Sequence, residues 1–313
     1  MLGVSNIRKQ KVIDGQMFAL QLIAKKLILG KVGVNKNRNI RIIGKFWILL
    51  FELQRIHYGK KSSVAEIVQG LWIGPKLSSM EKLCIHSFLK HGHPFHLYAY
   101  DQIEGVPSQA KLCDANEIVP ASRIFFYSQH NSCSGFANMF RYKLLLERGG
   151  WWVDMDTVCL QTLNFSNPYV FSSESTAAGT VRESGYCANT GIIRTPSNTE
   201  LMRYCWDHCD RADHRALQWG ETGPKLFARA LEVYSLGHFV QQPSVFCPIP
   251  FNEWSRALEP GPEWKFSAET KAVHLWNEMW RRNNRSKDAS YDPSCLYERL
   301  KSRYLNGAEN GAG

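Results

Sequence analysis

The period of hydrophobic positions changes repeatedly along the chain, and each change marks an element. Residues 65–74 read as a short strand ending at a glycine, followed by a loop at Pro75. Residues 80–90 carry helical spacing, and residues 95–100 alternate as a strand. Strand, helix and strand in succession predict an α/β fold. From Ser134 to Arg148 the spacing is helical again, with Phe136, Met139, Phe140, Leu144 and Leu145 on one face. Ser134 is the expected N-cap, and Gly149-Gly150 the expected stop. Trp151-Trp152-Val153 then reads as a buried strand running into Asp154-Met155-Asp156, with an extended continuation over residues 157–163. Further strands are predicted at residues 169–171 and 190–193, and helices at 200–212 and 225–233. The chain from Asp288 onward passes from helix-like to Gly/Ala-rich.

Charge divides the chain. Residues 1–61 hold 13 of the 38 Lys and Arg side chains but only two acids, Asp14 and Glu52, and the remainder is close to neutral. The expected organisation is a basic, partly amphipathic helical extension over 1–61, a catalytic domain over 62–305 and a flexible tail over 306–313. A basic amphipathic helix suits an anionic membrane surface or packing on the main domain. With a near-neutral domain behind it and no binding motif, nucleic acid is not an expected partner. The nine cysteines form no paired framework, which suits a reducing compartment. No apolar run reaches the 18 or so residues of a membrane span, and no secretory signal pattern is present. The expected location is therefore cytoplasmic, peripheral on the inner face of the membrane if the extension binds there.

The chemistry concentrates around Asp154 and Asp156. A strand that delivers both acids at its end would project them to one side, and two adjacent carboxylates repel unless a cation lies between them. A hard divalent ion, Mn²⁺ or Mg²⁺, shared with a diphosphate is the natural partner. On the preceding helix, Ser134, Asn138 and Arg141 share a polar face that the Gly-Gly turn directs toward the same crevice. Arg141, set among apolar neighbours, calls for an anionic or polyhydroxyl partner.

The segment from Ser134 to Asp156, with its Arg141-Tyr142, apolar helix, Gly149-Gly150 and D-x-D, resembles the signature of the family 32 glycosyltransferases. The resemblance extends from about Ile67 to Tyr304. It includes Leu71-Trp72-Ile73-Gly74, Asn189-Thr190-Gly191, the Gly220 to Pro224 loop, and Ala272 to Asn277 with Trp280. It implies a GT-A fold, with a Rossmann-like nucleotide-binding mixed sheet flanked by helices. The implied activity is metal-dependent, anomer-retaining transfer from a nucleotide sugar, a UDP-sugar rather than GDP-mannose, to a glycan or glycolipid acceptor. It further implies Asp156 as a metal ligand, Asp154 on the ribose or on the metal through water, and His274 as a third ligand or diphosphate contact. Trp72 would lie near the nucleobase, Arg141 would contact the donor sugar, and Asn138, Trp276 and Asn277 would line the donor site. The sequence departs from the pattern at Asn138, where the family carries Asp; an amide hydrogen-bonds a hydroxyl but brings no charge.

Two other readings compete. Asp154-Met155-Asp156-Thr157-Val158 also satisfies the nucleophile motif of haloacid-dehalogenase-like phosphatases, with Asp154 attacking phosphorus. That class needs a second acidic pair at the end of a buried strand, and Asp288 and Asp292 follow a polar, basic run instead. A non-catalytic sugar-binding or membrane-surface protein is the other alternative.

Overall fold

The computed structural model describes residues 66–127, 132–175, 185–261 and 264–306. The N-terminal extension and almost all of the tail expected from the sequence lie outside these residues. In chain order the strands are β1 (Val68–Leu71), β2 (Phe95–Ala99), β3 (Lys111–Asp114), β4 (Gly150–Val153), β5 (Thr157–Cys159), β6 (Val170–Ser175), β7 (Tyr186–Thr195) and β8 (Ala272–His274). The helices are α1 (Ser79–Lys90), α2 (Ser134–Arg148), α3 (Glu200–Arg211), α4 (Leu226–Val233), α5 (Pro243–Phe246), α6 (Asn277–Arg282) and α7 (Leu296–Tyr304).

Six strands form one mixed sheet in the order β3-β2-β1-β4-β7-β6, and β5 pairs with β8 in a separate ribbon. Strands β3, β2, β1 and β4 are parallel, and β7 runs against both β4 and β6. This is the α/β architecture expected from the sequence. Neighbouring residues of the central strands alternate between two cores. Trp152, Ile193, Phe171 and Tyr98 join the core containing α2, α3 and α4. Trp151, Ile192, Val170 and Leu97 join a core with residues of α1. The sheet is thus covered on both faces, which is why its strands read as near-continuous apolar runs. A third cluster packs α7 and Trp280 around β5 and β8.

Local chemistry explains the ends of the elements. Ser78 and Glu81 form a capping box at the start of α1. Helix α2 differs from its sequence reading. Cys133 occupies the N-cap position without a side-chain cap, and the Ser134 N–H donates instead to Ser132 Oγ at 3.3 Å. The helix ends at Gly149, whose φ of +64° is left-handed. A Cβ there would stand 2.4 Å from the backbone nitrogen of Ser197, so only glycine fits. Buried Gln69 donates to the Gly149 carbonyl at 2.8 Å and ties β1 to the same corner. The extended run expected over residues 157–163 is a strand only through Cys159, where its pairing with β8 ends.

Strand order reverses between β1 and β4. Successive crossovers carry the chain one way, to β2 and β3, before it returns to the other side of β1 at β4. In open α/β sheets the crevice beyond the carboxyl ends of such a pair is where ligands bind. Trp72 follows β1 directly, and Asp154 follows β4.

Candidate functional site: an acidic turn at the sheet's switch point

A cavity of about 720 Å³ opens at this point. All eight residues expected to act, Trp72, Asn138, Arg141, Asp154, Asp156, His274, Trp276 and Asn277, line it. The two aspartates reach it differently from the simple strand picture. Strand β4 stops at Val153, and residues 154–157 form a turn in which the Thr157 N–H donates to the Asp154 carbonyl at 3.0 Å. Alternation along a strand therefore does not align the two carboxylates; the turn gives each its own set of partners.

Asp154 faces α2. Its Oδ1 accepts from Arg141 Nη2 at 2.5 Å and from Trp152 Nε1 at 2.9 Å. Arg141 is almost fully buried, lies 4.8 Å from the Trp152 ring centre, and donates through Nη1 to Asn138 Oδ1 at 2.6 Å. The anionic partner that Arg141 required is thus Asp154, while Glu147 pairs with Lys143. Asn138, Arg141 and Asp154 form one chain, and the Asn138 amide nitrogen packs against Gly223. Among the described residues, none gives the buried Arg141 Nε a hydrogen-bond partner.

Asp156 faces the ribbon. Its Oδ1 meets His274 Nε2 at 2.9 Å, and its Oδ2 accepts the backbone N–H of Asn277 at 2.7 Å. Trp276 makes this convergence work. It adopts φ +59° and ψ +53°, a left-handed conformation that is costly for a bulky residue. The bend turns β8 into α6, so that His274 and the Asn277 N–H reach one carboxylate. Trp276 Nε1 donates to the Ile249 carbonyl at 2.8 Å, and Trp280 Nε1 to that of Leu275 at 2.8 Å, fixing the bend.

Electrostatics follow from these contacts. Burial alone would lower the His274 pKa, but the Asp156 charge and hydrogen bond outweigh it and hold the imidazole well above its ordinary value. Burial likewise opposes ionisation of Asp156, and His274 together with the Asn277 N–H keeps its carboxyl below the usual range. Asp156 thus favours a proton on His274 Nε2, and a divalent ion taking that place would displace it. One ligand atom from each of Asp154, Asp156 and His274 lies within 4.8 Å of the others. Two carboxylate oxygens and an imidazole nitrogen at that spacing suit a divalent ion, so the residues fit the cation that the sequence resemblance implies.

The cavity also contains residues that sequence reasoning did not single out. Glu174, Phe126, Tyr127, Glu278, Arg281 and Arg282 line it. Trp72 lies under the Lys287 ammonium, 5.0 Å from its ring centre, and Lys287 also pairs with buried Glu81 at 2.5 Å. A lone glutamate near the end of the Ser-rich strand β6 was the available signal for Glu174. Nothing in the sequence tied the others to Asp154. The phosphatase alternative gains no support: Asp154 is held by Arg141 and Trp152, while Asp288 and Asp292 bond Ser79 and Ser294 and do not line the cavity.

Two glycosyltransferase family models match the chain on separate stretches. "Glycosyltransferase sugar-binding region containing DXD motif" covers residues 78–175, and "Alpha 1,4-glycosyltransferase conserved region" covers residues 195–304. The chain carries a glycosyltransferase domain with a DXD-type sugar-binding region. Among individual proteins, it is similar to lactosylceramide 4-alpha-galactosyltransferase of Gorilla gorilla gorilla, at 29% identity over 154 residues, 44% of this chain and 43% of that one. The Mus musculus protein of the same name is 25% identical over 179 residues, 52% of this chain and 45% of its own length. The chain thus spans less than half the length of these curated relatives. Of solved structures, the PaToxG glycosyltransferase aligns with a TM-score of 0.40 and 16% identity, over 62% of this chain and 80% of that one.

Proposed function

We propose that the chain is a retaining glycosyltransferase that moves a hexosyl group from a UDP-sugar to a glycan or glycolipid acceptor. The observation that carries this reading is the convergence of Asp154, Asp156 and His274 within a cavity at the sheet's switch point. The curated relatives, named for α-galactosyl transfer to lactosylceramide, support a glycolipid acceptor and UDP-galactose as the first donor to try.

In this reading Asp156 and His274 are the main ligands of an Mn²⁺ or Mg²⁺ ion, with Asp154 reaching the ion or the donor ribose. When bound, such an ion supplies positive charge to the leaving diphosphate. The protein's own groups do the rest. Arg141 holds the Asp154 carboxylate in place, and the Asn277 N–H orients Asp156. Trp72, against Lys287, offers a flat face to the nucleobase. The buried surroundings strengthen each of these interactions. Transfer on one face of the sugar, through an oxocarbenium-like transition state, accounts for retention. The basic extension over residues 1–61 would bring the domain to an anionic membrane on the cytoplasmic side.

Hydrolysis tests the reading. Purified protein with Mn²⁺ should slowly cleave UDP-galactose or another UDP-hexose, and Asp156→Ala should abolish the reaction. Cleavage of a generic aryl phosphate in place of UDP-sugars would overturn it.

A further inference from the structure

Among the described residues, five acids line the cavity: Glu81, Asp154, Asp156, Glu174 and Glu278. Four of them face a cation. Glu81 pairs with Lys287, Asp154 with Arg141, Asp156 with His274, and Glu278 with Arg281 and Arg282. Glu174 differs. Its Oε2 accepts from Asn189 Nδ2 at 3.3 Å, and its Oε1 lies 4.0 Å from the Cys187 thiol. Both are neutral donors, and among the described residues no Lys or Arg pairs with it. Burial pushes its carboxyl above the ordinary range, opposed by the Asn189 hydrogen bond and the charge of His274.

A half-buried carboxylate without a paired Lys or Arg is unfavourable unless something else satisfies its lone pairs. Asn189 is built to present it. Buried Asn189 takes the Gly191 N–H on Oδ1 at 3.2 Å, and the Ser172 hydroxyl sits on the same oxygen. Those contacts fix which end of the amide turns to Glu174. Ser172 is itself anchored by the Ile192 N–H at 3.0 Å. The wall carrying Glu174 is the part of the β6–β7 hairpin that runs beyond the end of β4. The last β4 pairing is Val153 with Ile192, whereas Glu174 pairs with Cys187.

This wall is joined to the cation site through one short stretch of β7. The Asp154 N–H donates to the Gly191 carbonyl at 2.8 Å, and Asn189 lies two residues away. Two strand residues span roughly 6.6 Å, the scale of a pyranose ring. Charge decides what fits there. An unneutralised carboxylate repels a phosphate and favours hydroxyl donors, so this wall suits the uncharged part of a nucleotide sugar.

We propose that Glu174, presented by Asn189, forms the hydroxyl-binding subsite for the transferred hexose of the donor. The proposal rests on the donor-site reading above. Glu174 acts on ring orientation and on the choice of hexose, while nucleotide and diphosphate are held elsewhere.

The test separates sugar from nucleotide. UDP and UDP-galactose are titrated by calorimetry, with Mn²⁺ present, into the full chain and into Glu174→Ala and Glu174→Gln. Loss of a charged hydrogen bond should weaken UDP-galactose binding about tenfold in Glu174→Ala and leave UDP within about twofold. Glu174→Gln should lose less and melt no lower than the parent protein. If Glu174→Ala fails to fold, Glu174→Gln carries the same comparison. Unchanged UDP-galactose binding, or an equal loss for UDP and UDP-galactose, would overturn the subsite. Failure of the parent protein to bind UDP at all would overturn instead the donor-site reading beneath it.

Discussion

The cavity is assembled by two segments that reach it in opposite ways. One is a single local unit, α2 with the Gly-Gly corner, β4 and the acidic turn, which supplies Asn138, Arg141, Asp154 and Asp156 within 19 consecutive residues. The other, residues 272–282, meets it from about 120 residues downstream and supplies His274, the Asn277 N–H and the bend at Trp276. In the local unit position comes from helix and strand geometry, with one glycine conformation at the corner. In the remote segment it comes from a strained tryptophan held by two indole hydrogen bonds. The two aspartates divide between them, Asp154 belonging to the local unit and Asp156 to the remote partner. A motif of three consecutive residues therefore has two supports that can be broken separately.

The largest expected effect is at the corner. Gly149→Ala combines a left-handed φ with an overlap against the Ser197 backbone, and should cost at least about 3 kcal/mol in urea unfolding. Next is Arg141→Ala, which leaves Asp154 without its cation and Asn138 Oδ1 without its donor. Breaking a buried pair costs about 3–5 kcal/mol. Asp154 keeps partial exposure and its Trp152 contact, so about 2–3 kcal/mol is expected here, together with a steep fall in UDP-sugar hydrolysis. The smallest effect is at Asn138→Asp. A charged acceptor for Arg141 and for a sugar hydroxyl is about 1 kcal/mol stronger than an amide. The expected outcome is a few-fold rise in hydrolysis and a slightly higher melting temperature; a loss of activity would show that the amide is required.

The same contrast governs what could be read from sequence. The local unit was legible because apolar periodicity, Gly149-Gly150 and Trp151-Trp152-Val153 all lie within helical or strand range of the aspartates. Even there the N-cap falls at Cys133, one residue before the expected Ser134, and a turn does what strand alternation was expected to do. The partner of Arg141 stayed open because an arginine on a helix face does not specify which acid it will meet. His274, Trp276 and Asn277 came from family resemblance alone; no spacing links them to Asp156, and a left-handed tryptophan has no sequence signature. Glu174 was missed because its position against Asn189, with no Lys or Arg paired to it among the described residues, is set by the folded cavity and not by local spacing.

The central claim is that the two segments together hold one divalent ion. Calorimetric titration with Mn²⁺ of the parent protein, Asp156→Ala and His274→Ala tests it most directly. One bound ion per chain is expected in the parent protein, no measurable binding in Asp156→Ala, and in His274→Ala a loss at least as large as the roughly 10- to 100-fold that removing an outer-shell partner causes. Binding left unchanged by His274→Ala would contradict the account, because the ion would then rest on the local unit alone.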